Sequence, residues 1–129
     1  MSGQYTVYHL HSDLSNGVTN IDSVTKYGEY IAKAKECGMN AMGFSEHGSV
    51  FEWWHKKSAI EAAGMKYIHA VECYLTTTLT EKIRDNYHCV LLAKNYSGFL
   101  LWRKTDLAFA VSQASQGSWI AEPNWTFAS

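Results

Sequence analysis

The sequence predicts an α/β domain of about four parallel strands with flanking helices and a helical C-terminal tail. Three observations carry that reading. Strand-like and helix-like patterns alternate from Gln4 to Ala93. The stretch Glu36-Cys37-Gly38-Met39-Asn40-Ala41-Met42 is echoed 26 residues later by Ala62-Ala63-Gly64-Met65-Lys66-Tyr67-Ile68. Helix end, glycine, methionine and strand thus recur as one βα unit, the signature of parallel strands joined by right-handed crossovers. Finally, His9, His11, Glu46, His47 and Glu72 fall at the carboxyl ends of predicted strands. Parallel α/β folds gather their chemistry there.

The elements follow in order. Gln4 to Leu10 reads as a strand. Asp22 or Ser23 caps a helix whose apolar positions Val24, Tyr27, Ile31 and Ala34 keep the 3.6 period. Gly38 stops it as a left-handed residue. Asn40 to Phe44 is a short strand, and Val50 to Ala63 a second helix ended by Gly64. Tyr67 to Leu75 and Tyr87 to Ala93 are the third and fourth strands. Phe99 to Ala114 is helical in pattern, and beyond about residue 115 no element is predicted; Glu122 is the one metal-type residue there. The division is therefore an N-terminal unit, 1–99, and a partly helical tail, 100–129.

Bulk properties exclude several classes. At 129 residues the chain suits one domain able to bury about two-thirds of its unfolded surface. A net charge of -1 does not suit a surface that coats nucleic acid generically. The N-terminus lacks a secretory pattern, and no uncharged run reaches the ~20 residues of a membrane span. Cys37, Cys73 and Cys89 have no C-x-x-C spacing and read as reduced thiols of a cytoplasmic protein.

The chemistry centres on histidine. His9 and His11, at i and i+2 on an extended segment, share one face and reach one ion. Neutral imidazoles with carboxylates suit divalent Zn, Mn or Fe. Several histidines with a bridging carboxylate suit a multinuclear site for phosphate esters. Glu72 is the natural bridge, and His47 a terminal ligand with Gly48 turning the chain behind it. His88 lies at the start of a strand and completes a second coordination sphere. His55 and His69 read as structural, the latter on the strand face opposite Glu72. Lys56-Lys57 with Lys66 reads as a solvated face, and Trp53-Trp54 as packing.

Four motifs carry a resemblance: Tyr8-His9-Leu10-His11-Ser12, Gly43-Phe44-Ser45-Glu46-His47-Gly48-Ser49, Val71-Glu72-Cys73-Tyr74 and His88-Cys89-Val90-Leu91-Leu92-Ala93-Lys94-Asn95. They resemble the PHP (polymerase and histidinol phosphatase) domain over residues 5–99. The flavour is that of the PHP domain of bacterial and phage DNA polymerase III alpha subunits. The resemblance implies a partial, distorted (β/α)7 barrel and metal ligands at His9, His11, His47, Glu72 and His88. Glu72 and His47 are its catalytic candidates. An acidic ligand normally follows the first motif; Asp22 and Asp13 both qualify, with Asp22 preferred. Glu46 stands where the family commonly has Asp. The family's later ligands have no counterpart after His88, so the chain reads as a truncated front half of a phosphoesterase or exonuclease domain, and both an active and an inactive form stay open.

The partners implied are DNA or another phosphoester and, within a replicase, other polymerase subunits. A half-barrel leaves an open edge that either the tail or a second copy must cover; the prediction is a homo-oligomer, with the tail exchanged between subunits. Two rivals stay open: a free-standing histidinol-phosphatase-like enzyme, and a catalytically inert structural module.

Overall fold

The computed structural model describes residues 5–17, 21–75, 87–104 and 125–128. In chain order they form a 3-10 turn (Asp13–Ser15), α1 (Tyr27–Glu36), β1 (Ala41–Phe44), α2 (Trp53–Ala62), β2 (Lys66–Leu75), β3 (Tyr87–Ala93), α3 (Tyr96–Lys104) and β4 (Trp125–Ala128). The four strands make one sheet in the order β1-β2-β3-β4. The α/β expectation holds; the all-parallel sheet does not.

β1 and β2 pair in parallel, with Ala41 opposite Lys66 and Phe44 opposite His69. The helix α2 between them supplies the crossover that parallel pairing requires. β3 instead runs antiparallel to β2, with Leu75 opposite Tyr87 and His69 opposite Ala93. Residues 76–86 between them are fewer than the dozen or more needed for a crossover. A connection that short returns the chain as a hairpin.

The expected first strand is reduced to a single bridge, Val7 with Met42. The Gly43 and Ser45 N–H groups donate to the Val7 and Leu10 carbonyls at 2.8 and 2.9 Å. The Leu10 N–H, however, donates to Ser45 Oγ at 3.2 Å, which breaks the ladder. The segment still lies alongside β1, which is what positions His9 and His11.

α1 starts later than its apolar period suggested, and Val24 is exposed outside it. Asn16 is the reason. Its Oδ1 accepts from the Asp22 and Ser23 N–H groups at 2.7 and 3.1 Å, and its Nδ2 donates to the Ser23 carbonyl at 2.7 Å. Backbone groups engaged this way hold residues 22–23 in a loop. The helix then opens where the Lys26 N–H donates to the Glu29 carboxylate, 3.1 Å. It ends before Gly38 at φ +71°, the left-handed stop expected there.

The described part of the helix expected over Phe99 to Ala114 is α3, to Lys104; residues 105–124, with Glu122, lie outside the described residues, and the strand after them was not expected. β4 then pairs antiparallel with β3, Ala93 opposite Trp125 and Val90 opposite Ala128. Trp125-Thr126-Phe127 favours extended chain, and the outer edge of β3 offers unpaired backbone groups. The tail therefore takes the edge that the homo-oligomer argument had left open.

Two apolar clusters hold the sheet. Ile31, Ala34, Met42, Phe44, Ile60 and Met65 join α1, α2 and β1. Val71, Cys73, Leu91 and Phe99 join β2, β3 and α3, with Trp53 packed against them. Gly43 lets β1 and β2 approach: a Cβ there would stand 2.6 Å from the Ile68 carbonyl oxygen.

Candidate metal centre

Glu72 is the hub of the site. It lies in β2 beyond the part paired with β1, yet the chain after β1 returns to it. His47 forms a parallel bridge with Glu72, the Glu72 N–H donates to the Glu46 carbonyl at 3.2 Å, and the Gly48 N–H donates to the Glu72 carbonyl at 2.7 Å. Gly48, at φ +58°, then turns the chain away. Three segments distant in sequence thus end side by side.

Their side chains converge on one buried carboxylate. Glu72, 2% exposed, has Oε2 at 2.9 Å from His11 Nε2, 3.1 Å from His47 Nδ1 and 3.5 Å from His9 Nε2. His88 Nδ1 reaches the other oxygen, Oε1, at 2.7 Å. His9 Nε2 and His11 Nε2 are 3.3 Å apart, and the His11 and His47 rings stack at 4.1 Å. Asp22 Oδ2 lies 2.7 Å from His47 Nε2. Of the two aspartates left open by the sequence, Asp22 is the one whose carboxylate reaches a histidine, His47. His9, His11, Asp22 and His47 border an open cleft of about 460 Å³.

One observation tests whether this set fits a cation. Glu72 Oε2 is buried and accepts no hydrogen bond, although three imidazole nitrogens surround it. A buried carboxylate oxygen without a donor costs about 1–3 kcal/mol or more. Ring nitrogens that crowd an oxygen without donating to it stand where ligands of a shared ion would stand. The ligand atoms of His9, His11 and Glu72 all lie within 4.8 Å of one another. Burial, and then His47 beside it, lowers the His11 pKa and favours the neutral imidazole that metal ligation requires. The residues fit a divalent ion.

The sequence reading missed several contributors. Tyr74, within a recognised motif, brings its hydroxyl to 2.9 Å from His47 Nδ1. Lys56 is not part of a solvated face: it is 2% exposed, and its Nζ donates to Glu46 Oε1 at 2.7 Å. Its place one helical turn before buried Ile60 was the available signal. Burial alone would raise the Glu46 pKa; bonds from Lys56, Ser12 and Ser15 outweigh it and hold the carboxyl below its ordinary value. His55 is exposed on α2, and His69 is buried against Phe99, its ring stacked at 4.0 Å. Trp53 packs on Phe99 at 4.6 Å, as expected, whereas Trp54 is exposed.

The PHP domain family matches residues 8–109. The chain belongs to the PHP family. Among curated proteins this PHP chain is 35% identical over 109 residues to DNA polymerase III subunit alpha of Aquifex aeolicus, covering 76% of the chain and 9% of the relative. It is 34% identical over 97 residues to the same subunit of Borreliella burgdorferi, covering 70% and 8%. The PHP chain spans less than a tenth of the length of these relatives. Among solved structures it is similar to an amidohydrolase from Chromobacterium violaceum, with bound sulfate and no metal (TM-score 0.54, 19% identity, 70% of this chain and 28% of that one). It is also similar to a protein of Bifidobacterium adolescentis described as a metal-dependent phosphoesterase (TM-score 0.55, 16% identity, 74% and 29%). At those identities the likeness is one of fold. Among the described residues no helix is long and apolar enough to cross a membrane.

Proposed function

We propose that this PHP domain belongs to a cytoplasmic replicative DNA polymerase alpha subunit and binds divalent metal for phosphoester hydrolysis. The observation that supports it is the buried Glu72 carboxylate ringed by His9, His11, His47 and His88 with one oxygen lacking a donor. His9, His11 and Glu72 would hold the first ion, with Glu72 as the bridge; His47, Asp22 and His88 would extend the set. A bound divalent ion of this kind, Zn, Mn or Fe, supplies Lewis-acid polarisation and a water acidic enough to ionise near neutrality. Glu72 fixes the charge at the centre of the site. His47, held at one nitrogen by Asp22 and near Tyr74 at the other, orients the wall that a phosphoester meets. The open cleft beside His9 and His47 admits a chain end of DNA or a smaller ester. Other polymerase subunits are the partners that this reading implies.

A second reading, an inert module holding one structural ion, is favoured by one feature. Among the described residues only His9, His11 and Glu72 form a compact ligating set, whereas clamping both oxygens of a displacement takes a metal pair. Two measurements on the purified chain separate the readings. Plasma mass spectrometry should find bound metal in the wild type and none in His9→Ala/His11→Ala. Hydrolysis of bis(p-nitrophenyl) phosphate or of a labelled single-stranded oligonucleotide by the loaded chain supports the first reading. A bound ion without turnover supports the second, and a wild type free of metal after loading sinks both.

A further inference from the structure

We propose that Ser15 is a positioning residue that fixes the tautomer of His11, acting as the link between the buried Glu46–Lys56 pair and the metal centre. The inference goes beyond the ligand set and rests on the metal reading only for its consequence.

The Ser15 hydroxyl has one proton and three polar neighbours: Glu46, the His47 N–H and His11 Nδ1. Glu46 is 1% exposed and accepts from Lys56 Nζ at 2.7 Å, from the Ser12 N–H at 3.0 Å, from the Ser12 hydroxyl and from the Ser15 hydroxyl. An ionised carboxylate only accepts, so the single Ser15 proton is committed to Glu46. Ser15 Oγ is left with two lone pairs. One takes the His47 backbone N–H at 3.2 Å, which can only donate. The other faces His11 Nδ1 at 2.9 Å. That contact is attractive only if His11 Nδ1 carries the proton.

The consequence appears at the far side of the ring. With the proton on Nδ1, His11 Nε2 presents a lone pair, and it does so 2.9 Å from Glu72 Oε2, the oxygen with no donor. A lone pair facing a carboxylate oxygen at that distance is repulsive unless a cation lies between or beside them. The partner on one nitrogen of an imidazole decides which nitrogen is free to ligate. Lys56, Glu46 and Ser15 therefore prepare His11 before any ion arrives. The same Ser15 oxygen holds the His47 backbone, so one hydroxyl sets two of the candidate ligands.

The test uses the full chain, isotope-labelled and stripped with chelator, at about pH 8.5, roughly two units above the ordinary imidazole pKa. Two-bond proton–nitrogen correlations should show His11 protonated at Nδ1 in the wild type and in Ser15→Thr, which keeps the hydroxyl. In Ser15→Ala the Nε2-protonated form should take over. Calorimetric titration with cobalt(II) should then show affinity about 10–100-fold weaker in Ser15→Ala, restored in Ser15→Thr. Wild-type His11 protonated at Nε2 overturns the proposal without need of any variant. An unchanged tautomer in Ser15→Ala overturns it equally. If the wild type takes up no cobalt(II), the metal reading fails, and the tautomer signal still decides the role of Ser15.

Discussion

His88 Nδ1 lies 2.7 Å from Glu72 Oε1, across the β2–β3 ladder. In the register, His88 faces Tyr74 and Glu72 faces Val90, so the two are diagonal neighbours on one face of the sheet. The contact exists because β3 is antiparallel: the start of β3 meets the far end of β2. A parallel β3 would have placed His88 at the opposite rim.

This pairing makes His88 a test of the extended ligand set. His88→Ala should weaken cobalt(II) binding by at least about tenfold, or about 1.4 kcal/mol, in calorimetric titration. Unchanged affinity would reduce His88 to a hydrogen-bond partner of Glu72. For the intact chain, metal at about 100 times its Kd should add about 2.7 kcal/mol to the unfolding free energy, and a chelator should remove it.

Gly43 carries a packing constraint. Its modest-looking replacement, Gly43→Ala, drives a methyl group to 2.6 Å from the Ile68 carbonyl oxygen, and backbone cannot swing aside. Urea unfolding should show a loss of about 1–3 kcal/mol. A midpoint equal to that of the wild type would mean that β1 and β2 are not this close.

The Lys56–Glu46 pair is buried on both sides, at 2% and 1% exposure. Lys56→Met leaves the Glu46 carboxylate with only its serine donors, and breaking such a pair costs about 3–5 kcal/mol. Lys56→Met/Glu46→Leu should cost less than the two single changes together, because neither charge is then stranded. Strict additivity in denaturant unfolding would show that the two side chains act independently.

His69 sets a pH dependence of stability. Burial, and then the nearby Lys57 charge, depresses its pKa to about 4, with Glu61 opposing weakly. The unfolded chain takes up this proton near pH 6.5, so between about 6.5 and 4 it binds more protons than the folded chain. Stability therefore falls as the solution is acidified through that window and is unaffected by His69 above it. Between pH 7 and pH 5 the wild type should lose about 2 kcal/mol more than His69→Phe. Parallel unfolding curves for the two at both pH values would contradict the burial of this ring.

Much of the fold was legible because its signals are local. The period of Tyr27, Ile31 and Ala34 and the stop at Gly38 depend on neighbours a few residues away. β1 and β3 lie within their predicted spans for the same reason. The direction of β3, the loop at Asp22 and the pairing of the tail were not readable that way. Each is decided by a partner outside the local period: β2, Asn16 six residues before Asp22, and the edge of β3 respectively.

What the sequence determined by itself was a set of chemical types at strand ends: His9, His11, His47 and Glu72, with His88 out of place for a parallel sheet. Residue type and the two- or 3.6-residue periods suffice for that, since both are properties of short segments. Only the tertiary structure decided that these groups share one carboxylate and that Lys56 turns inward to neutralise Glu46. It also decided that Ser15 stands between that pair and His11. Such contacts bridge 4 to 63 positions of chain. They follow from which backbone segments pack together, which no local pattern encodes.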